Sequence, residues 1–236
     1  VMSQAYRRGS KIDSRNWRKD PENRYYARGP RFRMDAEMIR DQALFASGLL
    51  VDKIGGPGVR PYQPGGLWQS VGYENSNTVK FFRHYNEALY RRSIYTFWKR
   101  TAPPPNMTAF DAPNRESCIV NRERTNTPLQ ALVLMNDVQF VEAARHLAER
   151  CLQLEDPVQA IAMHVLGREF APDEYSIAAN SLRIFREHYR NSPEEAKQLL
   201  TEGDKPNSNL SNPVGLASLT MVANQLLNLD EAVTKH

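Results

Sequence analysis

The chain has 236 residues, 41% hydrophobic and 25% charged, which is enough apolar material for a packed core and too little bias for wholesale disorder. No run of about 18 apolar residues occurs, so no membrane span is expected. Residues 1–33 hold eight Arg and two Lys against two Asp and one Glu, a balance of +7, so the remainder of a +4 chain carries −3.

The basic leader comes first. It suits an acidic partner, whether nucleic acid, an anionic polysaccharide or another face of the same polypeptide, and the plain alternative is a solvated segment. Its opening "VMSQAYRRGS" has neither an initiator Met nor a hydrophobic signal core, and the start is read as a cut inside a longer polypeptide.

Asp20-Pro21 introduces a device that recurs at Thr127-Pro128, Asp156-Pro157, Ser192-Pro193 and Asn212-Pro213. Each pairs a good N-cap residue with proline at the first helical position, where a fixed φ and a missing N–H are both tolerated. Thr127…Gln130 and Ser192…Glu195 extend to capping boxes. Helical periodicity accompanies these starts. Ala36, Ile39, Ala43, Ala46 and Leu50 mark a helix from about Asp35 to Val51. Phe140, Ala144, Leu147, Ala148 and Cys151 mark one beginning near Asp137, and Tyr175, Ala178, Leu182, Phe185 and Tyr189 one over 173–190. A short helix over 193–202, closed by Gly203, precedes a polar loop at 203–213 and a buried C-terminal helix over 214–229.

Between these, "GGPGVRPYQPGGLW" (55–68) is too rich in Gly and Pro for a regular element, and suits backbone passing close to packed aromatic groups. "RRSIYTFWKR" (91–100) and "SCIVNRE" (117–123) have the β-branched and aromatic content of two short strands. The expected fold class is mainly α: a helical domain with a short two-stranded element and long ordered Gly/Pro-rich loops.

Chemistry is sparsely marked. There is no HExxH, CxxC, CxxCH, Walker A, GxGxxG or GxSxG, and His84, His146, His164, His188 and His236 lack metal-ligand spacing, so no metal site is expected. Cys118 and Cys151 permit one disulfide without demanding it, and Cys151 suits a buried free thiol.

Arginine outnumbers lysine 23 to eight and recurs in close pairs: Arg31/Arg33, Arg91/Arg92 and Arg122/Arg124. Guanidinium forks suit planar, bidentate recognition of carboxylate, sulfate or phosphate. Arg122 and Arg124 stand just ahead of a helix N-terminus, where cations are mildly unfavourable, so something negative should face them. Asp111, Glu116 and Glu123 are internal candidates, and a bound anion is the external one. The candidate binding set is Arg31, Arg33, Arg91, Arg92, Trp98, Arg122, Arg124 and Asn126. Interleaved aromatics also fit single-stranded nucleic acid, but no RNP-type fingerprint supports that reading. Glu37 and Asp41, four apart on one helix face, need arginine or a metal between them. If the domain were an enzyme, Asp35, Glu37, Asp111 and Glu123 are the acid/base candidates.

The ordered blocks "ENRYYARGPRFRMDAEMIRDQAL", "GGPGVRPYQPGGLW", "YRRSIYTFWKRTAPPPNMTAFDAPNRESC", "RERTNTPLQALVLMND" and "LLNLDEAVTKH" resemble the Planctomycete secreted domain one, a C-terminal domain of unknown function numbered fifteen fifty-three. The resemblance implies that residues 1–152 are the core of the family domain, lacking its first part, and that 153–236 are its C-terminal helical part. It implies a parent protein exported to the periplasm or cell surface. Any haem would sit in a separate upstream cytochrome-c-like domain, with no cofactor in this chain, and the upstream domains would be natural partners. It supplies no reaction and no catalytic residues. The resulting expectation is a non-catalytic interaction or scaffolding module whose Arg-rich faces dock acidic protein surfaces or anionic polysaccharide. A carbohydrate-active enzyme domain and a nucleic-acid binder are the alternatives.

Overall fold

A computed structural model describes residues 2–207 and 211–235. The basic leader contains one short helix, α1 (Ser14–Lys19), capped by the Asp13 carboxylate, which accepts from the Arg15 N–H. Asp20-Pro21 does not start a helix. The Asp20 carboxylate instead accepts the N–H groups of Arg24 (2.8 Å) and Tyr25 (2.9 Å) and closes a turn. Aspartate serves either role, and no apolar stripe follows Pro21 to give a helix a buried face.

The helical body runs α2 (Ala36–Ser47), α3 (Pro105–Thr108), α4 (Pro128–Asn136), α5 (Val138–Cys151), α6 (Pro157–Leu166), α7 (Pro172–Asn191), α8 (Pro193–Leu200), α9 (Pro213–Leu227) and α10 (Asp230–Val233). The remaining four residue-plus-proline steps start α4, α6, α8 and α9 as expected. Side-chain caps form at Asp156, which accepts from Val158 and Gln159, and at Asn212, which accepts from Gly215. The two expected capping boxes do not form, because Thr127 and Ser192 make no side-chain cap bond. Gln130 and Glu195 are engaged elsewhere, Gln130 with Thr125 and Arg33 and Glu195 with His188. An acceptor at the third helical position is used at α7 instead, where Glu174 takes the Ala171 N–H at 2.8 Å.

Helix α9 is the hub. Leu216, Ala217, Leu219, Val222 and Ala223 are buried, and the helix packs against α4, α5, α6, α7 and α8. Its Ala and Gly positions admit close neighbours, while Leu and Val fill the gaps between helices. Helix α5 lies on both α9 and α2, so residues from Ala36 to Val233 share one hydrophobic core. Cys151 is buried and unbonded within it and Cys118 is exposed and unbonded; burial pushes the Cys151 thiol up. Among the described residues no helix is long and apolar enough to cross a membrane.

The two-stranded element exists but lies elsewhere than expected. β1 (Phe32–Arg33) pairs antiparallel with β2 (Thr234–Lys235), with Phe32 opposite Lys235 and Arg33 opposite Thr234. Residues 91–100 form a 3-10 turn at Ser93–Tyr95 and single bridges from Arg91 to Val51 and from Thr96 to Val59. The Arg91 carbonyl in this stretch, like that of Leu89 just before it, accepts from the buried Arg40 guanidinium. Residues 117–123 form no regular element and are mostly exposed.

The 193–202 helix ends at Leu200, with Thr201 as its C-cap. Gly203 does not cap it. At φ +90° it passes over α5, where an added Cβ would meet the Glu142 carboxyl group at about 2.5 Å. The polar loop lies at the surface as expected, with 204–206 exposed, while its Asp204 and Lys205 N–H groups donate to the Tyr62 hydroxyl and Glu142; residues 208–210 lie outside the described residues.

Candidate functional site

The Arg-rich entry to α4 is a closed ion-pair network. Arg122 grips Glu37 in bidentate fashion (2.7 and 3.2 Å) and lies 3.7 Å from Asp35. Arg124 stands 3.9 Å from Asp35 and over the Phe32 ring, and Arg115 reaches Glu37 at 4.0 Å while covering the Trp98 ring. The negative charge facing Arg122 and Arg124 is thus internal, supplied by the first turn of α2 and not by Asp111, Glu116 or Glu123. Acidic residues at that position are also favoured by the α2 dipole. Burial alone would raise the Glu37 carboxyl, but the hydrogen bonds and charge of Arg122, with Arg115, hold it below the usual carboxylate range.

A pH dependence follows from this pair. The folded Glu37 pKa lies below its unfolded value, so the pair's stabilisation is full above that value and is lost as pH falls through the folded pKa. Arg122→Met is expected to cost about 1 kcal/mol at pH 7. In urea titrations, the gap between wild type and variant should shrink as pH drops below the usual glutamate range. A gap independent of pH would show that Glu37 and Arg122 are not coupled.

The arginine-to-Gln130 connection explains "RTNTPLQ". Asp111, at φ +58°, accepts the Thr125 N–H (2.7 Å) and hydroxyl (2.9 Å). Thr125 accepts the Gln130 side-chain N–H (3.1 Å), and Gln130 accepts from Arg33 (3.1 Å). Arg33 and Arg31 also bind Asp230, at 3.4 and 2.7 Å. Arg91 is buried, stacked 3.9 Å over Tyr95, and donates to the carbonyls of Lys53, Gly55 and Pro57, fastening the Gly/Pro-rich loop. Arg92 lies 3.6 Å from Asp41, and the Trp98 indole N–H donates to the Asn114 carbonyl at 3.0 Å. Asn126 and Glu123 are exposed.

The four acid/base candidates therefore do not converge as free groups: Asp35 and Glu37 are bound by arginine and Asp111 by Thr125. Among the described residues no three His, Cys, Asp or Glu side chains gather in a metal-binding group. Charge without a partner is found in the leader. Arg7, Lys11, Arg15, Arg18 and Lys19 make no ion pair among the described residues, and Tyr6, Trp17, Tyr25 and Tyr26 are exposed around them. Helix α4 adds an apolar outer face through Leu129, Leu132 and Met135.

Two buried polar clusters escape sequence reasoning. Arg40 projects from α2 among the carbonyls of Leu89 and Arg91, Ser93 Oγ and Gln139. Glu142 on α5 accepts from Tyr62 (3.0 Å), Tyr90 (2.8 Å) and the Lys205 N–H (2.7 Å), with Arg145 at 3.9 Å. The available signal was faint: Gln139, Glu142 and Arg145 recur every three residues along α5, where they are buried among its apolar positions.

The model of one protein family, described as PSD1, protein of unknown function (DUF1553), matches residues 1–182 of the chain. No curated protein matches the chain, and no solved structure does.

Proposed function

We propose, from the premise that the chain belongs to the PSD1 family of proteins of unknown function (DUF1553), that it is a non-catalytic interaction module. Its basic leader docks onto a carboxylate-rich surface. The observation that carries this reading is the division of the arginines. Those around α2 and α4, together with Arg31 and Arg33, are bound to internal carboxylates or carbonyls, whereas Arg7, Lys11, Arg15, Arg18 and Lys19 of the leader have no acidic partner among the described residues, and Tyr25 and Tyr26 stand exposed near them. Clustered like charge on an exposed segment attracts polyanions and raises the self-energy of the free protein until one is bound. The exposed apolar side of α4 offers a second contact for an acidic protein surface. Neighbouring domains of one exported, cytochrome-associated polypeptide are the natural partners in this reading, and an anionic polysaccharide of the cell surface is the alternative polyanion.

The test is binding of the whole chain to poly-L-glutamate, polygalacturonate and a single-stranded oligonucleotide across a salt series. Neutralising about three to five polyanion charges predicts roughly twenty- to a hundredfold weaker binding between 50 and 200 mM salt. Replacing Arg7, Lys11, Arg15, Arg18 and Lys19 with Gln should abolish binding while leaving the melting temperature unchanged. Preference for poly-L-glutamate over polygalacturonate identifies an acidic protein as the partner, and the reverse identifies the polysaccharide. Absence of binding at low salt, affinity indifferent to the five substitutions, or a preference for the oligonucleotide would each overturn the reading.

A further inference from the structure

A cavity of ≈ 630 Å³ opens between the 62–64 turn, the 81–85 segment and the junction of α4 with α5. Its size falls in the ~300–1,000 Å³ range of small-molecule sites. It lies outside the Arg122 network and away from the leader's unpaired cations, and none of the contacts described above account for it.

Its lining joins two kinds of surface. Phe82 and Tyr85 present exposed rings, 63% and 60% accessible, although neither belongs to the core. Arg83 lies over the rings of Tyr62 (4.9 Å) and Tyr85 (4.7 Å) and is held by Asp204 at 2.9 Å, which sets its position at the cavity. At the opposite edge stand the consecutive residues Asn136 and Asp137. The Asn136 amide donates to the Leu132 carbonyl, which turns its nitrogen into the helix and leaves the side-chain oxygen as an acceptor. Asp137 is fixed by the Gln139 N–H (2.9 Å) and by Asn106 (3.3 Å). The Gln63 side-chain nitrogen, also at the cavity, is buried with no partner among the described residues.

Ring faces beside convergent donors and acceptors, with Arg83 offset by Asp204, are the complement of a neutral polyhydroxylated ring. The C–H face of a pyranose is apolar and packs on an aromatic ring, while each hydroxyl both donates and accepts. Carboxylate, amide oxygen and guanidinium together satisfy that double demand. A phosphate or carboxylate ligand would need net positive charge, which the Arg83–Asp204 pair and Asp137 remove. We propose that this cavity binds a pyranose unit of a neutral glycan. The proposal is independent of the leader's docking role.

The experiment is NMR of the whole chain with cellotriose, xylotriose, mannotriose and chitotriose, with adenosine as a planar control. At least one trisaccharide should bind and shift the ring signals of Phe82 and Tyr85. Tyr85→Ala and Asn136→Ala should each weaken that binding by roughly tenfold or more, as loss of an anchoring contact does. The leader variant with five Gln substitutions should bind the sugar as wild type does, which separates this result from the polyanion test. Four results would overturn the proposal: no sugar bound at millimolar concentration, shifts confined to residues away from the cavity, affinity unchanged in both variants, or adenosine preferred over every sugar.

Discussion

Glu142→Ala is expected to cost about 3–5 kcal/mol, the penalty for breaking a buried charged cluster by removing one partner. Glu142 is 1% exposed and accepts two tyrosine hydroxyls and a backbone N–H, with Arg145 equally buried beside it. Deleting the carboxylate orphans three donors and leaves the Arg145 guanidinium with only the Lys205 carbonyl and Asn207. Glu142→Gln should cost less, because an amide oxygen still accepts one of the hydroxyls. Chemical denaturation measures both; a loss under about 1 kcal/mol for the alanine variant would show the cluster to be dispensable.

Gly203 provides an internal check on this account. Gly203→Ala places a methyl group against Glu142 in a backbone conformation that L residues rarely adopt. It should therefore be less harmful in a Glu142→Ala background than alone, a non-additivity that a double-mutant cycle reads directly. Alkaline stability gives a further check. Burial, reinforced by Glu142, raises the hydroxyl pKa of both Tyr62 and Tyr90. The folded state therefore holds these protons when the unfolded state has lost them, and stability should fall as pH rises above the usual tyrosine value of about 10. Tyr62→Phe and Tyr90→Phe should each reduce that fall.

How far the fold could be read depended on the range of the interactions involved. Proline starts and apolar stripes are local, so the starts of α4 and α6 and the extents of α5, α7, α8 and α9 were legible within a few residues. Asp20-Pro21 failed because the same cap chemistry also closes turns, and only the missing stripe tells them apart. The strands failed differently: Phe32–Arg33 pairs with Thr234–Lys235 across nearly the whole chain, and no local pattern announces such a partner. At the site, the demand for negative charge near Arg122 and Arg124 was readable from helix electrostatics, but its source was not. Glu37 lies 85 positions from Arg122, and packing of α2 beside the α4 entry brings them together. The buried polar residues were the least legible. In sequence, Arg40 and Glu142 look like solvated positions on amphipathic helices, because their partners are backbone groups and hydroxyls of loops folded over them.

Arg40→Met is expected to destabilise the fold by about 3 kcal/mol or more, although methionine fills much of the volume and removes a buried charge. The guanidinium is 4% exposed and spreads its donors over three elements: the carbonyls of Leu89 (2.6 Å) and Arg91 (2.8 Å), Ser93 Oγ (3.1 Å) and the Gln139 side chain. Burial pushes its pKa down to about 10, against the pull of Asp41 and Asp137, and it still carries its charge at pH 7. Removing it leaves several buried acceptors unsatisfied at about 1–3 kcal/mol each, more than the desolvation relieved. Arg40→Lys should recover only part of the loss, since a single ammonium cannot span acceptors arranged for a planar fork. The damage should be directional. With its clamp gone, the 89–97 segment should peel from α2, and exchange should quicken at the Val51 and Val59 amides, whose acceptors are the Tyr90 and Tyr95 carbonyls. Amides inside α9 should follow only the global loss. Uniform acceleration across both regions would show that Arg40 stabilises the core as a whole and does not act as the fastener of this segment.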